Sequence, residues 1–323
     1  MPLTGIARLA SLSSSLLSKS SSSYSLLPTR SLLNRSSGRM FFDYTINPYR
    51  GCEFGCKYCY ARYTHEFMEL RQPLDFETRI FVKQFSAPAF RRELAAVPLT
   101  AHIAIGTATD PYQPAERRYR LTRSILDVLS SDRGRRISLT TKSDLVTRDA
   151  DLLARLARSN VVHVNFTITT MDARLARLIE PRAPRPDLRL SALAGLSRRG
   201  IAAGVLVCPL LPGINDSYES LCEVAGCAAQ SGAKYFVTSP LFLKPCAARV
   251  FLPFLDREFP QLVARYRRVY ARSAFLEIEY RKLLDDRADS ARRKFRLEKS
   301  ASTYRPEDAA HPQLSLFDPL TNL

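Results

Sequence analysis

The sequence predicts an α/β chain of repeated βα units, a full or partial barrel with its functional residues where strands end. Three observations carry this. Runs of β-branched residues alternate with helical segments from Phe41 to about Leu243. Gly134 and Gly200 fall where helices should stop. The chain of 323 residues is 46% hydrophobic, enough for one large core or two modest ones.

In order, the strands are expected at Asp43–Asn47, Arg79–Lys83, His102–Gly106, Arg136–Thr140, Val161–Thr169, Ile201–Val207 and Tyr235–Thr238. Between them, apolar positions at helical spacing predict helices at Pro88–Ala96, Arg117–Leu129, Arg148–Ala157, Asp187–Arg198 and Tyr218–Ala229. The unit spans residues 41–250. Residues 251–299 read as a basic helical extension, a long helical stretch from Asp256 to Leu297 interrupted near Phe275–Tyr280. Thirteen basic against eight acidic residues in 255–299 suit either a solvated helix face or a nucleic-acid surface.

Residues 1–40 hold 13 Ser, five basic residues and no acidic one. That composition fits an organellar transit peptide or a loosely draped bacterial amino terminus, although Ser25–Arg39 reads as a structured lead-in. Residues 300–323 form a polar tail that ends in Gln313, Leu314, Ser315, Leu316 and Phe317. This pentapeptide resembles the peptide by which bacterial repair enzymes dock on the DNA sliding clamp; it would equally serve to clip the tail to its own barrel.

A net charge of +17, with 39 Arg and 9 Lys, favours polyanionic partners and makes nucleic acid a candidate, although coding bias also enriches Arg. No run of 18 apolar residues is present, so no membrane-spanning helix is expected. Seven cysteines are too few for a secreted disulfide scaffold, and three cluster at Cys52, Cys56 and Cys59. That clustering points to a metal or cluster site in a reducing compartment, the cytoplasm of a bacterium.

The spacing C-x3-C-x2-C supplies three thiolates. A cubane iron–sulfur cluster saturated by four ligands is closed, whereas three leave one iron open to a small molecule. The rival is a structural zinc, which wants four ligands and would need His65 as the fourth. The aromatic Tyr58 before the third cysteine and the strand-loop-helix setting favour the cluster.

Asn47–Arg62, reading NPYRGCEFGCKYCYAR, resembles the cluster loop of radical S-adenosylmethionine enzymes, in particular the spore photoproduct lyase-like branch. The resemblance continues through Gly106–Glu116, Thr140–Leu145, Ile179–Pro184 and Pro209–Asp216. It implies a partial (β/α)6 TIM-like barrel with a 4Fe-4S cluster at the carboxyl-terminal mouth of the strands. It also implies that S-adenosylmethionine binds the open iron, and that an external electron donor drives its cleavage to a 5′-deoxyadenosyl radical.

By the same resemblance Lys142 matches the lysine that holds the cofactor's carboxylate, and Thr109 and Asp110 match polar residues facing the cofactor. Thr167 and Thr169 end the next strand with hydroxyls suited to ribose or amino group, and Tyr58 lies within the loop. Glu180 and Arg189 are either further contacts or a mutual ion pair. The branch carries a hydrogen-donating cysteine just before the polar residues at 109 and 110, where this chain reads Gly106-Thr107-Ala108. A donor must then come from elsewhere: Cys208 at the mouth end of its strand, or Tyr112. Cys222 and Cys227 read as core, and Cys246 stays open.

These features predict a radical lyase acting on damaged DNA. Two alternatives remain at this level: radical modification of RNA or protein, and a non-catalytic iron–sulfur protein that binds DNA or senses redox state while tethered to the clamp.

Overall fold

In the computed structural model the described residues are 22–36 and 41–301. Their strands run β1 (Ser23–Leu27), β2 (Leu33–Arg35), β3 (Tyr44–Ile46), β4 (Tyr49–Arg50), β5 (Arg79–Lys83), β6 (His102–Ile105), β7 (Arg136–Thr141), β8 (Val161–Thr167), β9 (Ala202–Leu210) and β10 (Phe236–Pro240). Strands β3, β6, β7, β8, β9 and β10 lie side by side in chain order and all parallel. Strand β2 adds antiparallel to β3 at the far edge. This is the expected six-unit barrel, open between β10 and β2.

Alternation along the strands sorts side chains to two faces. Ile103, Ile105, Ile137, Leu139, Val162, Val164, Phe166, Val205 and Val207 pack into one core with the surrounding helices. Each such buried side chain contributes about 1.5–3 kcal/mol. Several of the intervening residues are polar and bond across the strands. His102 pairs with Ser138 Oγ at 2.9 Å, Asn165 donates to Thr140 Oγ1 at 3.2 Å, and Tyr235 donates to Asn165 Oδ1 at 2.7 Å. Gly204 is required on this face, because a Cβ there would collide with the Tyr235 ring.

The helices of seven or more residues are α1 (Ala87–Ala95), α2 (Leu121–Leu129), α3 (Ala150–Ser159), α4 (Ala173–Ile179), α5 (Pro186–Ser197), α6 (Tyr218–Gln230), α7 (Pro245–Glu258), α8 (Val263–Val269) and α9 (Ile278–Phe295). Several starts follow from capping side chains: Asp172 accepts from Arg174 N and Leu175 N, and Ser217 from Ser220 N.

Four expectations change. The run Arg79–Lys83 is a strand, but it pairs with β1 and β4 in a separate three-stranded sheet. The helix expected over Arg117–Leu129 is broken at Arg120, whose φ of 50° is left-handed and ends a short helix, Ala115–Tyr119. A boundary at residue 40 falls after two strands already paired into the sheets, and one at residue 250 cuts α7.

The stretch after α7 does not hang off the barrel. Glu298 bridges Tyr235, its carbonyl accepts from Phe236 N at 3.0 Å, and Arg292 Nη1 donates to Phe236 O at 3.1 Å. The carboxyl-terminal helix therefore covers the open edge of β10. The pentapeptide Gln313–Phe317 lies outside the described residues. Among the described residues no helix is long and apolar enough to cross a membrane.

Candidate active site

The cysteine loop leaves the smaller sheet after β4 and is pinned at several points. Cys52 N donates to Phe76 O at 2.8 Å and Lys57 N to Ile179 O at 2.9 Å. Two glycines make the turns possible, Gly51 at φ 88° and Gly55 at φ 63°. At Gly55 a Cβ would stand 2.6 Å from Glu77 Oε2. Glu77 is itself fixed by buried Arg62, whose Nη2 also donates to Cys56 O at 3.0 Å.

Loops from the barrel strands complete the support. Gln113 donates to Gly51 O and accepts from Glu53 N, while Thr109 Oγ1 donates to Gly51 O at 2.6 Å. Asp110 accepts from Tyr112 N, Thr141 Oγ1 and Lys142 N at 2.7 to 2.8 Å. It thereby ties the end of β6 to the end of β7. Thr109 and Asp110 thus direct their hydrogen bonds to the frame around the loop.

Cys52 and Cys56 are buried and Cys59 half-buried, among Phe54, Tyr58, Ala61 and Phe76. Burial pushes all three thiols up, Cys56 to about 12, with the Lys142 ammonium opposing it. Thiols so placed become thiolates only in contact with a cationic metal group, so this donor set fits an iron–sulfur cluster. Among the described residues no three His, Cys, Asp or Glu side chains converge as a single ion requires. Cysteines on a cubane bind separate irons and need not converge on one point. His65 Nε2 is 2.9 Å from Arg79 O, its ring packs edge-on against Phe76 and Phe81, and among the described residues it joins no such group of three.

Beside the cysteines lies a buried charged chain. Lys142 Nζ sits 5.6 Å from the centroid of the Tyr58 ring. The Tyr58 hydroxyl donates to Glu180, Thr169 Oγ1 donates to the same oxygen at 3.2 Å, and Arg189 Nη1 stands 2.6 Å from the other. Glu180 and Arg189 are each only 1% exposed, so the mutual ion pair is the arrangement found. Burial would push Glu180 up, but Arg189 and Lys142 win and hold it below its ordinary value. Burial would likewise lower Lys142, yet Cys56, Glu180 and Asp110 keep it raised and charged. Arg189 also donates to Thr167 O at 2.8 Å, linking the pair to the end of β8.

The two candidate hydrogen donors part company. Cys208 lies on β9 near Lys142, with its thiol pushed up to about 12 by burial. Tyr112 is packed in the main core, donating to Asp149 Oδ2 at 3.1 Å beneath the Arg148 guanidinium. Its hydroxyl is committed there, which corrects the expectation that it faces the mouth. The phenol beside Cys208 is Tyr60, whose hydroxyl donates to Thr107 O. Its position directly after the third cysteine was the available sequence signal. Cys246 donates to Tyr60 O at 3.5 Å, while Cys222 and Cys227 pack at the margin of the main core.

The chain is 36% identical over 280 residues to an uncharacterized protein of Mycobacterium tuberculosis, covering 86% of this chain and 81% of that protein. It is 29% identical over 218 residues to an uncharacterized protein of Methanocaldococcus jannaschii, covering 68% and 77%. In fold it is similar to spore photoproduct lyase with bound AdoMet and dinucleoside spore photoproduct. The TM-score is 0.61 at 17% identity, over 91% of this chain and 84% of that one. Residues 46–225, from the end of β3 into α6, match the radical SAM superfamily. With Cys52 and Cys56 buried and Cys59 half-buried on a loop of that family's spacing, the chain belongs to the radical SAM superfamily, whose cofactors are a 4Fe-4S cluster and S-adenosylmethionine.

Proposed function

We propose that this radical SAM enzyme acts on nucleic acid and repairs a damaged base in DNA by a lyase-like reaction. The observation that carries the reading is the fold likeness to a lyase holding a dinucleoside lesion, extending over 91% of this chain. The net charge of +17 supports it.

Cys52, Cys56 and Cys59 would hold the cluster, which together with bound S-adenosylmethionine supplies a 5′-deoxyadenosyl radical when an external donor gives one electron. Lys142 is kept charged to face the cofactor's carboxylate. Thr167 ends β8 and Thr169 lies two residues beyond it, with hydroxyls for ribose or amino group, and Glu180, Arg189 and Tyr58 hold that wall in place. Apolar Phe54 and Phe76 keep water from the cysteines. Cys208 keeps its proton at neutral pH and so carries an S–H hydrogen for the substrate radical. A lesion reaching this mouth must leave the base stack, at a cost of about a few kcal/mol that damage lowers.

The test is anaerobic cluster reconstitution followed by a 5′-deoxyadenosine assay with reductant, in the wild type and in Cys56→Ala. Product from the wild type alone, rising with damaged but not intact DNA, is the expected result. Stimulation by RNA or a protein instead would replace the substrate class. No product from an intact cluster, with DNA binding retained, would replace catalysis by redox sensing.

A further inference from the structure

Aromatic side chains around the cysteine mouth form a continuous row. Phe275 stacks on Phe242 with ring centroids 4.5 Å apart, Phe242 meets Tyr60 at 6.3 Å, and Tyr60 stacks on Tyr63 at 6.4 Å. Phe67 then meets Tyr63 edge-on at 5.6 Å. Three separate stretches supply these rings: the segment after Cys59, the loop after β10, and the turn before α9. The row is not core. Phe67, Phe275 and Tyr60 are 76%, 56% and 40% exposed, and Tyr63 and Phe242 are half-buried. Single exposed rings are ordinary on a protein surface, but a contiguous row marks an interaction site.

A cation lies on the row. Lys244 Nζ stands 4.2 Å from the Tyr63 centroid and 5.5 Å from that of Phe242. The carboxylate of Glu66, close to Phe67 in the chain, is paired with Arg249. Lys244 therefore sets a positive charge against the middle of the aromatic row.

We propose that this row is a stacking platform for single-stranded nucleic acid, leading an unpaired strand into the cysteine mouth. Every base has a π-face that stacks on an aromatic ring, whereas a duplex buries those faces and shows only edges. Phe67 and Phe275, at the two ends of the row, are its most exposed rings and so the ones open to an unpaired base. Lys244 supplies the charge for the phosphates. Tyr60, donating to Thr107 O in the loop after β6, fastens the middle of the row beside Cys59. The inference rests on the nucleic-acid reading above and adds the form of the strand and the residues that receive it.

The experiment measures binding of a fluorescein-labelled, mixed-sequence 15-nucleotide DNA to the reconstituted enzyme by anisotropy, as a single strand and as a duplex. The wild type is expected to bind the single strand more tightly. Phe242→Ala and Phe275→Ala should each weaken that binding by about 5- to 100-fold and leave duplex binding unchanged. Phe275→Trp should restore it, and Lys244→Gln should lower the salt dependence by about one phosphate contact. Reductant-driven cleavage of S-adenosylmethionine without DNA, unchanged in these variants, verifies that the site is folded. Wild-type single-strand affinity in both alanine variants, or a wild-type preference for duplex, overturns the platform even where damaged DNA stimulates turnover. Loss of single-strand binding in the variants, with no lesion stimulating turnover, leaves the platform standing and removes the repair reading.

Discussion

Lys142 shows how a buried charge is kept. Burial alone would discharge it, but Cys56, Glu180 and Asp110 surround the ammonium and its backbone N–H is donated to Asp110. Removing it leaves Glu180 neutralised by Arg189 and leaves the cysteine loop untouched. Lys142→Ala is therefore expected to retain the cluster's visible absorption and to lose about 2 kcal/mol or more of affinity for S-adenosylmethionine, measured by titration of the reconstituted protein. Unchanged affinity would remove Lys142 from the cofactor. His163, on the polar face of the sheet, gives a pH signature of its own. Burial, with His102 and Arg136 nearby, lowers its pKa to about 4. The unfolded ring takes up a proton below about pH 6.5, but the folded one only near pH 4. Stability is therefore lost as pH falls from about 6.5 to 4, by at most about 3 kcal/mol, and the loss levels off below that. Urea unfolding of the apo-protein at pH 7, 5.5 and 4.5 should give a flatter profile in His163→Gln; parallel profiles would show that this ring does not titrate as stated.

Elements bring the cysteines together through backbone geometry that few residues allow. Gly55 combines a left-handed φ with the approach of Glu77, so Gly55→Ala faces strain and a clash at once. It is expected to destabilise the fold by about 1–3 kcal/mol and to lower iron content after reconstitution. Thermal melts and iron analysis check this, and full iron loading at the wild-type melting temperature would contradict it. The six barrel strands were legible because each is a short β-branched run bounded by turn residues, and Lys142, Thr167 and Thr169 because they close or directly follow such runs. Arg79–Lys83 shows where legibility stops. Its composition says strand, but nothing local says that Ser23–Leu27 and Tyr49–Arg50 are its neighbours rather than β3. Pairing partners are set by long-range packing that a short apolar run does not encode. Tyr112 failed for a related reason: its distance along the chain from Thr109 is short, yet the turn through Asp110 swings its hydroxyl to Asp149. Glu180 and Arg189 were legible as a pair of opposite charges, but their burial beside Tyr58 was not.

An open barrel leaves an edge to be covered, and this molecule covers it with the segment whose charge suggested an outer surface. Exposed strand edges template pairing with other chains unless something blocks them. Here the outer side of β10 is taken by Glu298 and by Arg292 from α9. The helix itself buries Leu284, Ala288 and Ala291 and sets Phe295 against Gly226 of α6, leaving its basic residues largely on the opposite face. The extension is thus a structural closure, and its positive charge is carried on the solvent side of a packed helix. Deleting residues 278–323 is expected to bare both the β10 edge and the apolar face of α6, converting monodisperse protein into aggregates. A variant that replaces Arg281, Lys282, Arg293 and Lys294 by Gln removes four positive charges, keeps the closure and should remain soluble with an unchanged melting temperature. Sedimentation velocity on the two proteins separates the effects. A truncated chain that stays monodisperse with the wild-type melting temperature would show that β10 needs no cover; aggregation in the four-Gln variant would assign the helix's role to its charge.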